Sequence, residues 1–132
     1  EMSTPKNPDE ILQEEFLKER AEVLGRAGTR VSEALNALQC IEEGIAFAQG
    51  CYERLGSDPA GNGLDDGDVR RRRIQLRREI ETGIRKFNQA REEAKLRYYY
   101  LIVTREALGL RRHHWVEAAY RIPPKKAAIR DD

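Results

Sequence analysis

Residues 24–55 read LGRAGTRVSEALNALQCIEEGIAFAQGCYERL. Stepping alternately three and four residues from Leu24 meets Ala27, Val31, Ala34, Leu38, Ile41, Ile45, Ala48, Tyr52 and Leu55. All ten positions are apolar. That spacing predicts a helix burying one narrow stripe against a partner helix. One column of the stripe is bulky (Leu24, Val31, Leu38, Ile45, Tyr52) and the other is mostly alanine. Ala37 and Gly44 flank it, and small residues there are expected to let a partner helix approach closely.

Upstream the stripe changes face. Leu12, Phe16 and Val23 are apolar, but Gln13 and Arg20 fall on the extrapolated seam. Gly25 and Gly28 sit where the frame shifts. Each weakens a helix by about 1 kcal/mol relative to alanine, so a kink or short break is expected at 25–28. Asn7-Pro8-Asp9-Glu10 reads as a helix start, with a cap residue, a proline in the first turn and acids that complement the helix dipole. Glu1 ahead of Met2 reads as an addition to the natural start. Residues 1–8 are expected to be disordered and the first helix to run over 9–55.

Downstream, residues 56–67 (GSDPAGNGLDDG) read as a loop. A second helix is predicted over 68–108, with Ile80, Ile84, Phe87, Arg91, Ala94, Tyr98, Leu101, Arg105 and Leu108 on its seam. Two helices joined by a loop pack most simply as an antiparallel hairpin, pairing 55 with 68, 38 with 85 and 22 with 101. The seam arginines, Arg91 and Arg105, are expected to reach acids of the first helix or to extend outward; Arg105 would face Glu15, Glu19 and Glu22. Gly109-Leu110 reads as a helix stop and residues 112–121 as a short helix. Pro123-Pro124 ends it, and 123–132 is expected to be a loose basic tail. The fold class is therefore all-α: a long, coiled-coil-like antiparallel hairpin with a short C-terminal helix, forming a single helical domain over 9–122.

The chain has 132 residues, with Lys+Arg 24 and Asp+Glu 23. The near-neutral total hides an asymmetry. Residues 1–67 hold 6 basic and 14 acidic groups, net −8; residues 68–132 hold 18 and 9, net +9. Neither a simple polycation nor a polyanion fits. No apolar run approaches the length of a membrane span and no signal peptide is visible, so a cytoplasmic location without membrane association is expected. Cys40 and Cys51 lie 11 residues apart, about 16 Å on a helix. They could not form an intrachain disulfide, which needs Cα atoms within roughly 7 Å.

No motif names an activity. The adjacent His113 and His114 point about 100° apart on a helix, so they do not form a two-ligand face. No Glu-x-x-His pair, zinc spacing, phosphate loop or EF-hand loop occurs. No framework places a nucleophile. Catalytic residues, metals and cofactors are therefore not expected. Arg70-Arg71-Arg72-Arg73, followed by Arg77 and Arg78, is the sharpest charge feature. With Arg111 and Arg112 it forms a candidate anion or nucleic-acid patch. The alternative is a solvated face paired locally to Glu79 and Glu81, which is the commoner fate of a charge run. Residues 106–120 resemble a helix-turn-helix unit, since Leu108, Gly109, Leu110 and Trp115 fall where that motif has apolar, glycine, apolar and apolar residues. The resemblance would make the following short helix a DNA reader. Arg105 stands where the motif has a small residue, and the competing reading folds Trp115 and Tyr120 back onto 96–103.

A lone hairpin would leave Leu35, Phe47, Ile74, Leu76, Leu96, Ile102 and Val103 off the seam. Phe47, Leu96, Tyr99, Ile102, Val103, Trp115 and Tyr120 are the candidate interface. The expected assembly is a homodimer forming a four-helix bundle, and the expected function a non-enzymatic adaptor acting through helix faces on an unknown protein partner. The alternative is a nucleic-acid-associated protein using Arg70–Arg78 and the basic C-terminal region. A third reading inserts the acidic loop tip into a larger enzyme.

Overall fold

The computed structural model describes residues 5–57 and 65–129. It is all-helical. Helix α1 spans Pro8–Ser57, α2 spans Asp66–Ala107 and α3 spans His114–Ala119. Of residues 1–8, expected to be disordered, 5–8 are described: Asn7 caps α1 and Pro8 is its first residue. Residues 1–4, most of the expected loop (58–64) and the last residues of the expected tail (130–132) lie outside the described residues.

Each helix end follows from its local sequence. Asn7 caps α1: its Oδ1 accepts the Glu10 backbone N–H at 2.8 Å. Asp65 caps α2 in the same way, accepting from the Asp68 N–H at 2.7 Å. The helix therefore starts two residues before the expected Asp68. At the far end of α2, Gly109 adopts φ +87. Leu110 N–H bonds back to Arg105 O at 2.8 Å and Gly109 N–H to Glu106 O at 3.0 Å. These two bonds form the glycine-terminated helix stop that Gly109-Leu110 predicted. Of the kink or short break expected at 25–28, a break does not occur: α1 continues through both glycines. Gly28 is instead a contact point: a β carbon there would lie 2.9 Å from the Tyr120 hydroxyl.

The contacts divide the chain into two compact units. Unit 1 comprises Glu1–Glu33 and Leu96–Arg121; unit 2 comprises Ala34–Lys95 and Ile122–Asp132. Both long helices contribute to both units, and within each unit they pack against one another.

Unit 2 holds the larger core. Leu38, Ile45, Leu76, Ile80, Ile84 and Phe87 are buried in one cluster. Every seam position expected from the sequence, on either long helix, is buried or half-buried. Leu76, expected off the seam, is a core residue at 1% exposure. The close helix approach comes from Gly83 rather than from Ala37 or Gly44, both of which are exposed. A β carbon on Gly83 would stand 2.7 Å from Ile45 Cγ1. Ile45 thus faces 83, whereas even stepping from the loop would place it near 78. Within unit 2 the two helices stay antiparallel with a shifted register, fixed where Gly83 meets Ile45.

Unit 1 has a smaller buried set: Val31, Leu101 and Val116, with Gly28 beside them. In α3 it is Val116 that turns inward. Trp115 stays 75% exposed beside His114, so it does not fold back as expected.

The seam arginines do not reach acids on α1. Arg105 donates from Nη2 to Arg112 O at 2.8 Å and from Nε to His113 Nδ1 at 3.3 Å. His113 Nε2 in turn lies 3.1 Å from Glu106. In unit 2, Arg91 donates from Nε to Pro123 O at 2.8 Å. Arg20, which interrupts the α1 stripe, donates to Leu108 O at the end of α2. A seam arginine is long enough to cross the helix pair. The last carbonyls of a helix and the carbonyls of irregular chain lack internal partners, so they are its natural acceptors. Residues 122–129 accordingly lie against α2 in unit 2 rather than forming a loose tail.

Candidate functional site

The arginine run starts within the first turn and a half of α2. The helix rotates its members to different faces. Arg70, Arg73 and Arg77 share one face with Asp66, Val69 and Ile74. With Tyr52 from the end of α1 they line a groove of about 290 Å³ in unit 2. Arg73 stacks its guanidinium on the Tyr52 ring, 4.1 Å from the centroid. Gly56 makes room for it, since a β carbon there would meet Arg73 Nη2 at 2.9 Å. Arg73 Nε is buried and has no hydrogen-bond partner.

Three arginines of the run, Arg71, Arg72 and Arg77, have local partners. Arg71 pairs with Asp68. Arg72 bonds Gln75 at 3.1 Å and lies 3.9 Å from Glu79. Arg77 approaches Glu81 at 3.4 Å from its place on the groove wall. The pairs to Glu79 and Glu81 are those of the solvated-face reading. Exposed pairs of this kind contribute little, about 0–1 kcal/mol each. Arg70 and Arg78 are exposed and make no ion pair among the described residues. Arg111 and Arg112 belong to unit 1 and lie on the irregular stretch before α3.

A second groove, of about 230 Å³, lies within unit 1. Val23, Arg26, Ala27 and Arg30 from α1 and Arg97, Tyr100 and Thr104 from α2 line it. Burial, and then the nearby Glu117 carboxylate, hold the Tyr98 phenol above its usual pKa.

The candidate interface residues fall in several places. Leu96, Tyr99 and Val103 are exposed on α2 of unit 1, and Ile102 is half-buried beside them. Tyr120 is half-buried against Gly28. Phe47 is 72% exposed in unit 2. Added to these are Ile11, Leu12, Phe16 and Leu17 on the first turns of α1, all exposed. They carry no heptad signal, which is why periodicity under-reads them. Also unforeseen is the role of Asn88, which grips the backbone of Lys126 from α2.

Among the described residues, no side chain that is polar or charged is buried, and no group of three or more His, Cys, Asp or Glu is placed to hold a metal ion. No described helix is long and apolar enough to cross a membrane. Comparison with protein-family models, curated proteins and solved structures gives no match to this chain.

Proposed function

We propose that the protein is a non-enzymatic helical interaction module, an adaptor that works through the helix faces of unit 1. The observation that carries this is where its apolar surface lies. Among the described residues, two of the exposed large hydrophobics, Phe47 and Ile74, belong to unit 2 and the other ten to unit 1. Monomers rarely leave a contiguous apolar patch of more than a few hundred Å² uncovered.

The charge pattern of unit 1 favours a second copy as occupant. Asp9, Glu10, Glu14, Glu15, Glu19 and Glu22 flank the apolar residues at the start of α1. Arg26, Arg30 and Arg97 flank the groove of the same unit. Acid on one copy and arginine on the other make the face self-complementary, as a two-fold dimer requires. The dimer would complete a four-helix bundle. Analytical ultracentrifugation at micromolar concentration tests this. We expect a dimer for the natural chain and a monomer of unchanged helicity for Phe16→Glu combined with Tyr99→Glu. A clean monomer for the natural chain sinks the proposal.

A second reading rests on the unit 2 groove, where, among the described residues, Arg70 makes no ion pair and Arg73 Nε has no hydrogen-bond partner. In that reading the arginines take phosphates of nucleic acid. Each phosphate neutralised contributes about 0.9 to the log–log salt slope on duplex DNA. The expected result is a gel shift with random duplex at low salt that weakens steeply with salt and is lost in Arg70→Gln with Arg73→Gln. No shift at low salt removes this reading.

A further inference from the structure

Residues 122–129 leave α3 and lie on α2 of unit 2. Ile122 is half-buried, and from Pro123 on burial recurs every third residue: Pro123, Lys126 and Ile129 are half-buried, while 124, 125, 127 and 128 are exposed. A contact every third residue is the repeat of the extended polyproline-type helix, which has three residues per turn. Such a chain satisfies none of its own backbone groups. Among the described residues, 121–129 make no backbone–backbone hydrogen bond.

Helix α2 supplies the missing partners. Asn88 donates from Nδ2 to Lys126 O at 2.9 Å, and its Oδ1 accepts the Lys126 N–H at 2.8 Å. One amide side chain thus reads one residue's donor and acceptor together. Arg91 holds Pro123 O at 2.8 Å, one repeat earlier. The Lys126 ammonium stands over the Phe87 ring, 4.8 Å from its centroid. Ile129 packs on the core cluster one repeat later.

We infer that this face of α2, built from Arg91, Asn88 and Phe87, is a recognition groove for an extended segment of a partner protein, with proline, then a cation three residues on, then an aliphatic residue three further on. The chain's own residues 123–129 carry that pattern and occupy the groove as a resident competitor. Main-chain bonds from Asn88 and Arg91 give affinity without reading sequence. Phe87 and the core notch select the cation and the aliphatic side chain. The groove lies in unit 2 and does not depend on the unit 1 faces proposed above.

The test uses the full chain and a fluorescent peptide with the sequence of residues 121–129. Lys126→Pro with Ile129→Asp releases the resident segment while leaving α2 intact. The peptide is expected to bind this variant at least tenfold more tightly than the natural chain, whose tethered segment competes at an effective concentration on the order of millimolar. Adding Asn88→Ala, or methylating the peptide's backbone nitrogen at the position of Lys126, is expected to remove the binding. Equal affinity for natural and released chains, or indifference to Asn88, overturns the inference. If the released variant loses helicity, amide exchange decides. Lys126 N–H should exchange at least tenfold more slowly in the natural chain than in Asn88→Ala, and equal rates overturn the groove. A dimer that forms as the natural chain is concentrated, and that the peptide dissolves, would assign the site to exchange between copies and overturn its assignment to a foreign partner.

Discussion

Phe87→Ala is expected to cost about 3–5 kcal/mol, read as a lower midpoint in urea at unchanged slope. Phe87 is 1% exposed and is among the largest fully buried side chains. It sits in the unit 2 cluster with Leu38, Leu76, Ile80 and Ile84. Removing the ring leaves a void that the two helices cannot close, because their separation is fixed by the contacts on either side. Whole-domain stabilities are only about 5–15 kcal/mol, so the variant forfeits a large share. Phe87→Leu separates two roles of the residue. It keeps most of the buried volume but loses the aromatic face under Lys126, so stability should fall far less while the 122–129 segment loosens. A loss below about 1 kcal/mol for the alanine variant would show that the residue is not a core anchor.

Gly83→Leu is the second large effect, for the opposite reason. Even a β carbon at this position would stand 2.7 Å from Ile45 Cγ1. That atom is next to the branch point of a side chain only 4% exposed, so it cannot swing away cheaply. Overpacking of this kind costs about 1–3 kcal/mol and more for larger insertions. Any residue replacing glycine in mid-helix regains up to about 1 kcal/mol of helix propensity, which is too little to offset it. We expect a net loss of about 2–3 kcal/mol for Gly83→Leu and a smaller one for Gly83→Ala. The signature is the coupling. Ile45→Ala vacates the space, so combined with Gly83→Ala it should cost about 0.5–3 kcal/mol less than the sum of the single losses. Strict additivity would mean that the helices do not touch there.

The ten-position stripe made the fold class and the buried face of α1 legible, since a 3-4 repeat of that length has few other uses. The α2 seam was legible despite its two arginines. Register was not. It is set where Gly83 meets Ile45, and a single glycine leaves no periodic trace. The arginine run was visible, but which of its members line the groove depended on helix phase and on Tyr52 arriving from the other helix. Asn88 gave no signal, because an asparagine on a helix surface is unremarkable until an extended segment lies beside it. The segment's own three-residue repeat, Pro123, Lys126 and Ile129, was present in the sequence and was obscured by reading the stretch as a basic tail.

Arg20, Arg105, Arg91 and Asn88 have one thing in common: each bonds a main-chain carbonyl, of Leu108, Arg112, Pro123 and Lys126 respectively. A carbonyl is the same in every amino acid. The route of the chain after α2 is therefore written mostly in the helices and only sparsely in the segment that follows it. Side chains such as Arg111, Arg112 and Trp115 can change what the surface displays without moving the backbone that displays them. A protein arranged this way can acquire a new partner by substitution at the exposed positions of 111–128 while its helical scaffold stays as it is.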